Sequence, residues 1–237
     1  MTTFVLVHGA YQGGWIWQLV AERLEAGGHR VYRPTLDGCG ERSQALRTGI
    51  NTEVHGDELA QLLFYEDLSD VALVGTSSGG MVVCRTAEQA RERIARLVFV
   101  DALALLDGER VGDIVDRPGG TATGLAVGPT REDAEARLFN DLEPALRTWT
   151  LDRMTMHPAD AIEQPVSLGD FWDHPWSAHV IYCRRSSNPP EPHQRRTAAR
   201  LGARWDELDT GHYPMLSAPA ELAALLDDEN PEAAGRG

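Results

Sequence analysis

Lysine is absent from this chain: all 22 residues counted as Lys plus Arg are arginine. That excludes any mechanism that needs a lysine Schiff base or a lysine ammonium in the site. Cysteine is scarce, and Cys39, Cys84 and Cys183 are widely spaced and odd in number. Such a set argues against a disulfide framework and against a metal site, and fits a reducing cytoplasm. No apolar run approaches the roughly 18 residues of a membrane-spanning helix. Positive charge is also in deficit, with 36 acidic against 22 basic residues, a net charge of −14 and a pI near 4.9. A chain this acidic repels nucleic-acid phosphates and anionic lipid, so neither nucleic acid nor membrane is expected as a partner. The first strand begins so early that no basic segment and apolar stretch of signal-peptide length precedes it, which again reads as cytoplasmic.

What is present is a chain of 237 residues, 42% hydrophobic, enough for one sizeable core and for a single α/β domain over 1–237. Strands are expected at Phe4–Val7, Arg30–Pro34, Val71–Val74, Arg96–Asp101, His179–Cys183 and Arg204–Leu208. Helical spacing falls at Trp15–Leu24, Val54–Glu66, Gly79–Gln89 and Ala218–Asp227. This alternation predicts a mostly parallel sheet covered by helices on both faces, with ligands bound at the carboxyl ends of the strands. Between the fourth and fifth strands a long interval, about 103–177, holds Pro118-Gly119-Gly120, a helical stretch Arg131–Arg147, and Trp149, Trp172 and Trp176. It reads as a mainly helical cap. The tail, about 228–237, reads as disordered.

His8, Ser77, Asp101 and His212 all follow predicted strand ends. Ser77 stands in Gly75-Thr76-Ser77-Ser78-Gly79, where a buried strand turns sharply into a helix and leaves little room for side chains on the flanking glycines. A serine held out at such an elbow suits a nucleophile. It needs a base within hydrogen-bonding reach, and His212, in the loop Asp209–Leu216 between the last strand and the last helix, is the histidine placed to supply it. The other histidines default to structural or surface roles, and none pairs with metal-ligand spacing. Backbone N–H groups of Ser78 and Ala10 are candidate donors to an oxyanion.

The chain resembles the α/β-hydrolase superfamily, in its small branch of plant methyl-ester esterases, hydroxynitrile lyases and bacterial esterase-like hydrolases. The resemblance runs through Val5-Leu6-Val7-His8-Gly9-Ala10, Gly14-Trp15-Ile16-Trp17, Gly28-His29-Arg30-Val31, Pro34–Ser43, the elbow, Leu97–Ala102 and Gly211–Leu216. It implies the α/β-hydrolase fold, no cofactor and no metal. It also implies hydrolysis of an ester, lactone or related acyl bond in a small apolar or aromatic substrate, in the chain order serine, acid, histidine. The pattern departs from the branch in two places. Thr76 and Ser78 flank the serine where larger residues are usual, and the segment after the fifth strand, Arg184–Pro190, carries no carboxylate before Glu191. Asp101 is the favoured acid, because some relatives place theirs after the fourth strand. Glu191, or a Ser-His dyad assisted by Asn188 or water, stays open. Tyr213 follows His212 where the lyases use a lysine, which disfavours cyanogenic lyase chemistry. Tyr11, Thr76, Trp149, Trp172, Trp176 and Tyr213 are candidate substrate contacts. A repurposed enzyme performing elimination, decarboxylation or cyclisation is the second reading, and a non-catalytic ligand-binding protein the third. A small-molecule substrate is the expected partner, and a homodimer is left open.

Overall fold

A computed structural model describes residues 1–115, 121–122 and 124–228. The strands are, in chain order, β1 (Thr3–Val7), β2 (Arg30–Tyr32), β3 (Val71–Ser77), β4 (Ile94–Ala102), the short β5 (Thr121–Ala122), β6 (Ala126–Gly128) and β7 (His157–Pro158), then β8 (Ala178–Cys183) and β9 (Arg204–Leu208). Six of them form one parallel sheet in the order β2-β1-β3-β4-β8-β9. The longer helices are α1 (Gln18–Ala26), α2 (Thr52–Tyr65), α3 (Gly79–Gln89), α4 (Pro144–Leu151), α5 (Glu191–Leu201) and α6 (Pro219–Asp227).

The period-two alternation of each strand divides the core. Val5 and Val7 of β1, Leu73 of β3, Leu97 and Phe99 of β4 and Val180 of β8 pack with Leu59 and Leu63 of α2 and Val83 and Ala87 of α3. Phe4, Leu6, Ala72, Val74, Val98, Val100 and Ile181 face the other way, onto Val20 and Leu24 of α1 and Leu222 and Leu226 of α6. Both faces of the sheet are therefore covered, as near-continuous apolar strands require. Each fully buried Val, Leu, Ile or Phe contributes roughly 1.5–3 kcal/mol.

The interval between β4 and β8 departs from the expected helical cap. It contains an antiparallel sheet, β5-β6-β7, together with short helical segments. The continuous helix expected over 131–147 is two pieces, Arg131–Leu138 and α4, separated at Phe139–Glu143. Pro144 is the reason: it starts α4 and lacks the N–H that would tie it back to a preceding turn, and Glu143 before it is extended, with ψ 143°. Strands of two or three residues are too short to show a period of two in the sequence. Pro118-Gly119-Gly120 and the 229–237 part of the tail lie outside the described residues. No described helix is long and apolar enough to cross a membrane.

Candidate active site

β3 runs through the elbow to Ser77 itself, whose φ of +52° puts a non-glycine residue in the left-handed region. That conformation is strained for an L-residue and is held by its surroundings. A Cβ on Gly79 would lie 2.5 Å from His8 O, one on Gly75 2.7 Å from Val83 Cγ2, and one on Gly80 2.4 Å from Leu103 O. Gly9, in the loop after β1, approaches so closely that its Cβ would lie 2.6 Å from Ser77 Cβ. Glycine at these positions lets the β1 loop, the β4 end and the start of α3 close around one serine. Leu103 N–H donates to Ser77 O at 2.9 Å and ties the elbow to the end of β4.

His8 braces the same loop from beneath. Leu36 N–H donates to its Nε2 at 3.0 Å, so Nδ1 carries the proton and donates to Gly9 O at 2.8 Å. Burial, opposed by the bond to Gly9, lowers its pKa to about 4. It is a neutral structural histidine at physiological pH.

His212 stands in the loop between β9 and α6. Its Nδ1 lies 2.5 Å from Asp101 Oδ2. A carboxylate only accepts, so Nδ1 carries the proton and Nε2 is left as the acceptor. Asp101 is fully buried at the end of β4, with φ +44°. Its other oxygen, Oδ1, accepts from Gln194 Nε2 at 2.7 Å and from Cys183 N–H at 3.4 Å. Glu191 is elsewhere, half-exposed at the start of α5 and paired one helical turn on with Arg195 at 3.1 Å. The carboxylate on His212 therefore comes from β4. Asn188 lines the cavity but is not that group.

Ser77 and His212 line one cavity of about 910 Å³, together with Ala10, Tyr11, Ser78 and Tyr213. Its apolar wall includes Leu103, Val111, Val115, Val127 and Ile162, and its polar wall includes Asn140, Asp141, Arg185 and Ser186. The cap is pinned to the loops around it. Thr155 N–H donates to Tyr11 O at 3.0 Å, Gly40 N–H to Thr155 Oγ1 at 3.0 Å, and Gly211 N–H to Asp141 Oδ2 at 3.1 Å.

Four residues expected to touch substrate do not line this cavity. Thr76 precedes Ser77 on the strand, so its side chain turns the opposite way and is fully buried. Trp172 Nε1–H donates to Leu105 O at 3.0 Å, and Trp176 Nε1–H donates to Phe171 O at 2.8 Å while its ring stacks on Phe171. Trp149 meets Trp15 edge-on, centroids 5.4 Å apart, with the Arg153 guanidinium over its ring. Trp172 and Trp176 satisfy their indole N–H groups, and all three tryptophans are half-buried in packing away from the cavity. The side chains missed by sequence reasoning are Gln194 and Asp141. The strand alternation requires a helix between β8 and β9, and that was the available signal for Gln194.

The model of the alpha/beta hydrolase family matches residues 4–225. The chain belongs to the alpha/beta hydrolase family. Within it, the chain is 39% identical over 109 residues to a carbendazim hydrolyzing esterase of Nocardioides sp. (strain SG-4G), an alignment covering 46% of this chain and 45% of that protein. The chain thus spans under half of that relative. Methylesterase 2 of Arabidopsis thaliana is 39% identical over 250 aligned positions, with 94% of each chain covered. Among solved structures, an extracellular alpha/beta-hydrolase from a Paenibacillus species superposes with a TM-score of 0.82 at 23% identity, covering 95% of this chain and 98% of that one. At that identity the superposition shows the fold of the family.

Proposed function

We propose that this chain is a serine hydrolase that cleaves an ester, lactone or related acyl bond of a small molecule. The observation that carries the reading is the Asp101–His212 contact beside a strained Ser77 that opens on the same cavity. His212 Nε2 takes the Ser77 proton as Oγ attacks the carbonyl carbon, and Asp101 stabilises the imidazolium that forms. Ala10 and Ser78 N–H groups hold the developing oxyanion. Collapse of the tetrahedral intermediate breaks the bond to the leaving oxygen, which takes the proton from His212. Water, deprotonated by the same histidine, then releases the acyl group and restores Ser77.

Esterases among the relatives support this reading, as the carbendazim esterase and Methylesterase 2 are named for ester cleavage. The cavity favours a substrate with an aliphatic-lined portion and a polar portion, Tyr11 and Tyr213 being its aromatic contacts. The non-hydrolytic reading rests on two departures, the small polar flanks Thr76 and Ser78 of the elbow and the missing carboxylate after β8, and the Asp101–His212 contact weakens the second. The three cysteines are free and buried, which suits a reducing compartment, and we take the cytoplasm as the site of action.

A panel of short-chain nitrophenyl esters, with Ser77→Ala as the control, tests the function. Turnover in the wild type and a loss on the order of 10³-fold or more in Ser77→Ala is expected. Turnover that survives Ser77→Ala contradicts it.

A further inference from the structure

The geometry points to Gln194 as the positioning residue for the relocated acid, an inference that rests on the serine-hydrolase reading above. Asp101 is buried, and a buried carboxylate must have its lone pairs satisfied or be driven towards its neutral form. His212 occupies Oδ2, and Gln194 Nε2 reaches Oδ1 at 2.7 Å. The same Nε2 donates to Pro189 O at 3.0 Å. Two acceptors that cannot donate fix the orientation of the amide, so Gln194 must present its NH₂ to both. The side chain is 1% exposed and rides on the first turns of α5, against the β8 end that supplies Cys183 N–H.

The choice of a neutral amide has a chemical reason. An arginine at this place would hold Asp101 but compete with His212 for its charge. An amide clamps one oxygen and leaves the negative charge to the imidazolium that forms as Ser77 loses its proton. Gln194 is not itself among the residues lining the cavity, although its amide also holds the backbone of the lining residue Pro189, so it acts on the reaction through Asp101. It also compensates for the sequence departure after β8. Where the branch places its acid after that strand, here the following helix supplies the side chain that orients an acid standing on β4.

The test is a double-mutant cycle read by the rate at which a serine-directed phosphonate labels Ser77, and by kcat and KM on a nitrophenyl ester. Gln194→Met keeps the unbranched shape and removes the donors. In the wild-type background it should slow labelling and lower kcat about tenfold or more, with KM changed less than about threefold. In the Asp101→Asn background the same change should cost less than about threefold. Gln194→Asn, which keeps the amide but withdraws it by one methylene, runs the same cycle if the Met variant does not fold. Equal losses in both backgrounds, or no loss in the wild type, overturns the assignment. A wild type in which Ser77 takes no label overturns the hydrolase reading itself. Normal labelling with an unaffected Gln194→Met overturns the Gln194 role alone.

Discussion

At Asp101 a left-handed backbone, complete burial and three hydrogen-bond donors converge on one carboxylate. Such a residue tolerates little change. Asp101→Asn keeps the volume, but its amide can donate to His212 and favour the wrong tautomer. A fall in kcat on the order of 10³- to 10⁴-fold is expected with little change in KM, whereas Glu191→Gln should stay within about twofold of wild type. Steady-state kinetics on a nitrophenyl ester check both. Gly211 makes a second residue-scale prediction. A Cβ there would stand 2.2 Å from Asp141 Oδ2, so Gly211→Ala must displace the cap aspartate or the His212 loop. A raised KM is expected, and an unchanged one would show that the Gly211–Asp141 contact does not shape the cavity. The residues Ser77 and His212 were legible in the sequence because each sits in a local pattern, an elbow or a loop after a strand. The choice of Asp101 over Glu191 and a dyad leaned on the resemblance alone. It depends on β4 and β8 lying side by side, which no local pattern reports.

At the scale of elements, the elbow works because β1, β3 and the start of α3 approach to backbone contact. Gly79→Ala drives a methyl towards His8 O and Val7 O, and overpacking of this kind costs roughly 1–3 kcal/mol. Gly112, on the short helix Val111–Ile114, has nothing within 4 Å of its Cβ position and no positive φ. Gly112→Ala should therefore be neutral or slightly stabilising. Urea denaturation of the two variants measures the contrast, and equal midpoints would contradict it. The central strands β1, β3, β4 and β8 were readable because they are apolar on both faces, and the edge strand β9, Arg-Trp-Asp-Glu-Leu, nevertheless falls on the range expected for it, Arg204–Leu208. Helix α5 was not assigned, because Glu191-Pro192-His193-Gln194-Arg195-Arg196 is charged and polar, and its buried side includes His193, Gln194 and Thr197. Polar residues buried for hydrogen bonding give no hydrophobic period. The cap was expected as an insertion, but its small sheet escaped for a related reason: its strands are too short, and Pro144 splits the stretch that looked like one helix.

At the scale of the whole molecule, acidity and buried histidines set how the fold responds to pH. His8 and His193 are both lowered to about 4, chiefly by burial, and for His193 also by the Arg196 guanidinium. In the unfolded chain each returns to the ordinary value near 6.5, so between about pH 6.5 and 4 the unfolded state binds more protons. The stability they contribute is full above pH 6.5 and is lost as pH falls towards 4, with a slope of up to about 1.4 kcal/mol per pH unit for each histidine. Denaturation midpoints at pH 7, 6 and 5 should fall in that order, and His8→Gln should flatten the trend. A midpoint independent of pH would contradict the account. The global arrangement has a simpler consequence for chemistry, since it assembles Ser77, His212 and Asp101 from three separate strand ends. That convergence is tested most directly without knowing the substrate, by the rate at which a serine-directed phosphonate labels the protein, with the site located by mass spectrometry. The account predicts one label at Ser77 in the wild type, labelling slowed on the order of 10³-fold or more in Asp101→Asn, and none in His212→Ala over the same time. Labelling at another residue, or equal rates in the wild type and Asp101→Asn, would contradict it.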